Sequence, residues 1–215
     1  MKKYFKYLGW TFVLGTSMYF LFKNVPRYFI SENGFSNDML PFKPHFLIHF
    51  IGGTIMLLFA PIQFISKIRK TIPKIHRYLG RAYVISVIIS AIAAIYIAID
   101  KIILTAGLTI YGTGLFGLAL ASLTTTITAY AMIRNRKYEQ HREWMIRSYV
   151  VTLGFATFRI FTDIFNGTLF HLDGLEMFNI MAWACWSIPL LITEFFLQSN
   201  KRHKHIVGTT TETVM

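Results

Sequence analysis

The amino-acid sequence predicts an all-α membrane protein, a polytopic transmembrane helical bundle with about six spans. Of its 215 residues 54% are hydrophobic and only 15% are charged, whereas soluble domains average about 25% charged residues. Apolar stretches of about 20 residues recur along the chain, and each is long enough to cross a hydrocarbon core of about 30 Å. Lysine and arginine residues cluster in short segments between these stretches, as is typical of cytoplasmic loops.

The apolar stretches place the six spans in order along the chain. They cover about residues 7–23, 45–66, 78–99, 110–133, 145–166 and 176–197. The first has a basic start but lacks a small-x-small cleavage site, so we interpret it as an uncleaved helix rather than a signal peptide. The expected organisation is a first helix with an external loop over 1–44, a helical core domain over 45–198 and a disordered cytoplasmic tail over 199–215.

The distribution of positive charge predicts the orientation. Most of the 22 lysine and arginine residues fall in the N-terminal segment, the loops after the second and fourth spans, and the C-terminal tail. Because cytoplasmic loops carry an excess of these residues, both termini are expected in the cytoplasm. The net charge of +12 therefore points to a lipid bilayer with anionic headgroups as the partner, rather than to nucleic acid.

A similar phrase occurs twice, at the cytoplasmic starts of the third and fifth spans. Residues 76–84 read HRYLGRAYV and residues 141–150 read HREWMIRSYV. The two copies fit a duplicated helical hairpin or a recurring way to begin a membrane helix. Three interpretations of His76 and His141 remain open: interfacial anchors, metal ligands such as the axial ligands of a heme, or parts of an anion site at two helix N-termini. The arginine residues that would complete the anion site are Arg77, Arg81, Arg142 and Arg147.

A second group of polar residues lies toward the predicted outer face. His45 and His49 are one helical turn apart at the start of the second span. Arg159 and Asp163 are four residues apart in the fifth span, and Arg159 is expected at a depth similar to that of His49. Charged groups within a span normally face the bundle interior. They form either a self-neutralising Arg159–Asp163 pair or a site in which Arg159 holds a ligand carboxylate or heme propionate and His49 ligates or relays protons.

Motifs for most enzyme chemistries are missing from the sequence. There is no P-loop, no G-x-S-x-G and no H-E-x-x-H motif. Cys185 is the single cysteine, which excludes an intrachain disulfide and a cysteine-based metal site. An enzymatic role, if there is one, is expected to be redox chemistry in the membrane.

The leading functional hypothesis is a protein that binds a ligand or cofactor within the bundle. Its most specific version is a b-type heme protein for electron transfer, with iron ligands drawn from His49, His76 and His141. His49 and His76 are expected on opposite sides of the membrane, so only His76 and His141 can ligate one iron together. The alternatives are a transporter or binder of anionic small molecules or lipid headgroups, and a membrane scaffold without a ligand.

Together, the motifs resemble those of the bacterial multi-pass membrane proteins filed as domain of unknown function 2306. The similarity rests on HFIGGTIMLLFAPIQF, HRYLGRAYV and HREWMIRSYVVTLGFATFRI, and covers about residues 45–165. The positions that match the family pattern are His49, Gln63, His76, Arg77, Gly80, Arg81, Tyr83, His141, Arg142, Trp144, Met145, Arg147 and Arg159. The resemblance implies a multi-pass protein of the bacterial cell membrane and no particular reaction.

Overall fold

Long helices account for the regular structure of the part of the chain that is described. The structure, a computed structural model, describes residues 2–29, 42–103, 105, 107–165 and 174–212. The helices are α1 (Lys2–Phe29), α2 (Lys43–Gln63), α3 (Ser66–Thr71), α4 (Pro73–Ile103), α5 (Thr109–Arg134), α6 (Tyr138–Phe165) and α7 (Gly174–Glu212). The all-helical class expected from the sequence is therefore confirmed. The predicted external loop lies partly outside the described residues.

Four helical segments within the described residues are long and apolar enough to cross a membrane. They are α2, α4, α5 and the Gly174–Ser199 part of α7. They correspond to the predicted second, third, fourth and sixth spans. The α1 and α6 helices have 28 residues each, which gives about 42 Å at 1.5 Å per residue, but they are less apolar. The six-span arrangement therefore stays a prediction that four segments support.

Helix ends follow local residue chemistry. Pro44 and Pro73 stand in the first turns of α2 and α4, where a missing backbone N–H costs nothing because it would have no partner within the helix. The turn between α5 and α6 places Arg136 at φ 60°, and the N–H of Lys137 donates to the carbonyl oxygen of Met132 at 2.9 Å. The α7 helix continues to Glu212, into the segment from 199 onward for which the sequence predicts disorder.

Helices that follow one another along the chain pack side by side, from α4 to α7. The α4 helix lies between α2 and α5, and α5 also contacts α6 and α7. The α6 helix packs on α7 and is covered on another side by α1. The predicted hairpins, α4 with α5 and α6 with α7, are therefore both present as packed neighbours, which is compatible with the duplication inferred from the repeated phrase.

Glycines allow the helices to approach closely at two places. A Cβ added to Gly52 would lie 2.7 Å from the Cβ of Ser90, so α2 and α4 can come together only without a side chain there. A Cβ added to Gly114 would lie 2.7 Å from the Cβ of Ala182, which brings α5 against α7 in the same way. Small residues of this kind commonly mediate helix packing in membranes.

Candidate functional site

A cavity of about 140 Å³ lies between α2, α4, α5 and α6. Most of its wall is aliphatic or aromatic. Each of the four helices also contributes at least one polar side chain to the wall. These are His49, Ser90, Tyr111, Ser122, Thr152 and Arg159. The sequence placed His49 and Arg159 at the same depth, and the structure brings both to this cavity.

His49 is held in a defined orientation by Ser90 on α4. The Ser90 hydroxyl donates to the His49 carbonyl oxygen at 2.9 Å, so its own oxygen is left to accept. Nδ1 of His49 lies 3.1 Å from the Ser90 carbonyl oxygen and 3.0 Å from the Ser90 hydroxyl oxygen. Because a carbonyl only accepts, Nδ1 carries the proton of the neutral ring. Nε2 is then an acceptor, and no residue that the structure describes bonds to it.

Phe155 forms an aromatic wall beside His49. The two rings meet edge to face, with centroids 5.0 Å apart. A Cβ added to Gly53 would lie 2.9 Å from the Phe155 ring, so the glycine on α2 leaves room for this aromatic side chain on α6. The His49 ring is therefore confined on both sides, by Ser90 and by Phe155.

The charged residues of α6 have different surroundings. The Asp163 carboxylate accepts a hydrogen bond from Tyr19 at 3.1 Å and pairs with Lys23 at 3.1 Å, both on α1. Lys23 also donates to the Tyr19 hydroxyl at 2.8 Å. Asp163 thus helps to hold α1 against α6, whereas Arg159 is part of the cavity wall. Both interpretations of Arg159 and Asp163, an ion pair and a ligand site, stay predictions.

A chain of buried hydroxyl groups connects the helices next to the cavity. Tyr83 lies 2.8 Å from the Ser148 hydroxyl and 3.1 Å from that of Thr152, and Ser148 lies 2.6 Å from Thr126. All four residues are buried, and Thr152 also lines the cavity. This network was missed at the sequence level. The sequence contained one indication of it, because Ser148 and Thr152 are one turn apart and therefore lie on the same face of α6.

The size of the cavity tests the heme expected at His49. An engineered apolar cavity of about 150 Å³ accommodates benzene. A heme contains four pyrrole rings and two propionate groups, so it is several times larger than the volume between these helices. The described cavity is therefore too small to enclose a whole heme.

His76 and His141 lie at the other candidate site. Both side chains are half-buried. Nδ1 of His141 donates to the Ala129 carbonyl oxygen at 2.8 Å, which leaves Nε2 as the acceptor of the neutral ring. Their role as metal or heme ligands stays a prediction. Of the arginines grouped with them, Arg77, Arg81 and Arg142 are exposed.

Arg147 has a different environment from the other arginines of the repeated phrase. It is 7% exposed and donates from Nε and Nη2 to the same Glu194 oxygen, at 2.7 Å in each case. Its guanidinium also lies 4.7 Å from the Trp144 ring centroid and 4.0 Å from Glu143. Glu143 in turn pairs with Lys201 at 2.6 Å. Arg147 thus joins α6 to α7, and the structure does not place it with the exposed arginines.

Comparison with known proteins identifies a family and nothing more specific. No curated protein and no solved structure matches the chain. The family model described as predicted membrane protein (DUF2306) matches residues 46–197, which include most of α2, all of α3 to α6, most of α7 and the residues that line the cavity. The resemblance inferred from the motifs is confirmed, and the chain belongs to the DUF2306 family of predicted membrane proteins.

Proposed function

We propose that this membrane protein binds a small, largely apolar ligand that carries an acidic group, in the cavity between α2, α4, α5 and α6. The observation that supports the proposal is the cavity itself, which is lined by both His49 and Arg159. A cavity with an apolar wall and a few convergent polar groups is the usual form of a small-molecule site.

The polar residues of the wall indicate the chemical class of the ligand. Arg159 supplies positive charge and a planar set of donors that suits a carboxylate. His49 offers an acceptor at Nε2, in an orientation fixed by Ser90. A carboxyl group suits either side chain, according to its protonation state. As an anion it accepts from Arg159, and as a protonated acid it donates to Nε2 of His49. The volume accommodates a group of about the size of a benzene ring.

Benzoate is a suitable probe because it combines a ring of that size with a carboxylate. Its binding to the protein in maltoside micelles is measured by isothermal titration calorimetry. The Ala94→Leu variant extends a side chain that lines the cavity. We expect its affinity for benzoate to fall about tenfold or more, because the added carbons occupy the ligand volume.

Ala82→Leu is the matched control, since Ala82 is another half-buried alanine of α4 and does not line the cavity. Its affinity is expected to stay close to that of the wild type. An absence of benzoate binding to the wild type, or an equal loss in both variants, would refute the cavity as an acid-binding site. A scaffold role without a ligand would then be the better account.

We infer that the chain crosses a bacterial cell membrane six times with both termini in the cytoplasm. The positive charge of the loops and the family resemblance support this topology. Single cysteines on a Cys185→Ser background test it with a membrane-impermeant maleimide. Thr109→Cys is expected to react on intact spheroplasts, and Lys137→Cys only after lysis. The reverse pattern would invert the topology.

Heme at His76 and His141 is the redox alternative, supported by the tautomer of His141, which leaves Nε2 free for a metal. Protein purified from heme-replete cells gives the test. A reduced-minus-oxidised spectrum without an α-band, at full protein recovery, removes this alternative and leaves the acid-binding proposal unaffected.

A further inference from the structure

The end of the bundle opposite Arg159 contains a second polar cluster, next to the first copy of the repeated phrase. Gln63, the last residue of α2, is 8% exposed, and its Nε2 has no hydrogen-bond partner among the described residues. Nδ1 of the half-buried His76 is also buried without a partner in that part of the chain. Buried polar atoms normally have partners, so these two atoms leave hydrogen-bonding capacity that is open to a ligand.

Gln63 of α2 packs against the same face of α4 on which His76 lies. A Cβ added to Gly80 would lie 3.5 Å from Oε1 of Gln63, so the glutamine amide rests against α4 at this residue. His76 precedes Gly80 by four residues, which places both on one side of the helix. His141 is near His76, as its electrostatic influence on that ring shows. The cluster therefore joins the ends of α2, α4 and α6.

The charge around the cluster is positive. Arg69 on α3 lies close enough to His76 to interact with it electrostatically, and Arg77 follows His76 directly. The acidic residue on the adjacent turn of α6, Glu143, pairs with Arg147 and Lys201. The positive charge and the N–H groups of Gln63 would repel a metal cation. Both would stabilise a bound anion.

We propose that Gln63 and His76 form a binding site for a phosphate group, next to His141. The amide of Gln63 and Nδ1 of His76 supply donors from α2 and α4, and Arg69 supplies charge nearby. A phosphate group has several strong acceptor oxygens and can use all of them at once. It comes either from a phospholipid headgroup at the membrane surface or from free phosphate. This site does not depend on the cavity that holds Arg159.

Two probes distinguish the sources of the phosphate. Inorganic phosphate is titrated calorimetrically into protein in phosphate-free maltoside, and phosphatidylglycerol retained from mixed micelles is counted by native mass spectrometry. Saturable binding of inorganic phosphate supports a free-phosphate site. Retention of the lipid without binding of inorganic phosphate supports a headgroup site.

Gln63→Met and His76→Phe remove one donor each without introducing charge. Each is expected to weaken binding of the active probe about tenfold or more, because a hydrogen bond to a charged group is lost. Gln140→Met is the matched control, since Gln140 is exposed beside His141. If Gln63→Met does not fold, His76→Phe alone decides the matter, because its side chain is only half-buried. The proposal is overturned if the wild type binds neither probe, or if the site variants bind like the control.

Discussion

Removal of the Glu194 carboxylate should destabilise the contact between α6 and α7. Glu194→Gln keeps the shape of the side chain but removes the charge that Arg147 meets with two bonds of 2.7 Å. The Arg147 guanidinium would remain buried, with its nearest remaining carboxylate, Glu143, at 4.0 Å. The Arg147 guanidinium has already lost its hydrating water on burial, so the loss of its partner leaves a buried charge without compensation.

The expected loss follows from the unequal exposure of the two residues. Breaking a fully buried ion pair costs about 3–5 kcal/mol, and breaking a surface pair costs about 0–1 kcal/mol. The side chain of Arg147 is 9% exposed and that of Glu194 is 39% exposed, so the pair lies between these limits. We expect Glu194→Gln to lower the free energy of unfolding by about 2 kcal/mol.

The assay is reversible unfolding in mixed maltoside and dodecyl sulfate micelles, followed by circular dichroism. Glu139→Gln is the control, because Glu139 is an exposed carboxylate on α6, and it should change stability by less than about 0.5 kcal/mol. Arg147→Met combined with Glu194→Gln should cost less than the two single changes together, because no buried charge is left. If Glu194→Gln behaves like the control, the bond between these residues does not stabilise the protein.

Three further changes test other parts of the structure. Tyr83→Phe should cost about 1–2 kcal/mol in the same unfolding assay, because it leaves buried hydroxyls without a partner, whereas Tyr78→Phe at an exposed position should be neutral. Gly114→Val should cost about 1–3 kcal/mol, since its Cβ alone would lie 2.7 Å from α7. Ser90→Ala should weaken benzoate binding, measured by calorimetry, because the His49 ring loses one of the groups that hold it in place. An unchanged affinity would show that the orientation of His49 does not contribute to benzoate binding.

The sequence was a good guide to those helices whose apolar length alone defines them. The predicted spans at 45–66, 78–99 and 110–133 correspond to α2, α4 and α5, because a run of about 20 apolar residues has few alternatives to a membrane helix. The short α3 was not predicted, since SKIRKT is polar and basic and has no apolar period that would mark a helix.

The candidate site was predictable in depth but not in its contacts. The rise of 1.5 Å per residue placed His49 and Arg159 at one level, and both line the cavity. The partner of His49 could not be found in this way, because Ser90 lies on another helix and reaches it only where Gly52 lets α2 and α4 approach closely. Such contacts depend on how each helix is rotated about its axis, which hydropathy does not define.

The environment of Arg147 was likewise not predictable from the sequence. Its place in HREWMIRSYV suggested an arginine at the headgroups, yet its side chain is buried against Trp144 and Glu194. Helical spacing contained part of the answer, because Glu143 precedes Arg147 by four residues and forms the i, i+4 pair. The Glu194 contact spans 47 residues of sequence and needed the packing of α7 to be known.

The acid-binding cavity is tested most directly by a crystal structure of the protein with benzoate. We expect the ring between α2, α4, α5 and α6, beside Phe155, and the carboxylate within hydrogen-bonding distance, about 3 Å, of Arg159. The Ala94→Leu variant, treated in the same way, should show no benzoate there. Benzoate bound elsewhere, or a wild-type cavity closed by its own side chains, would contradict the proposed function.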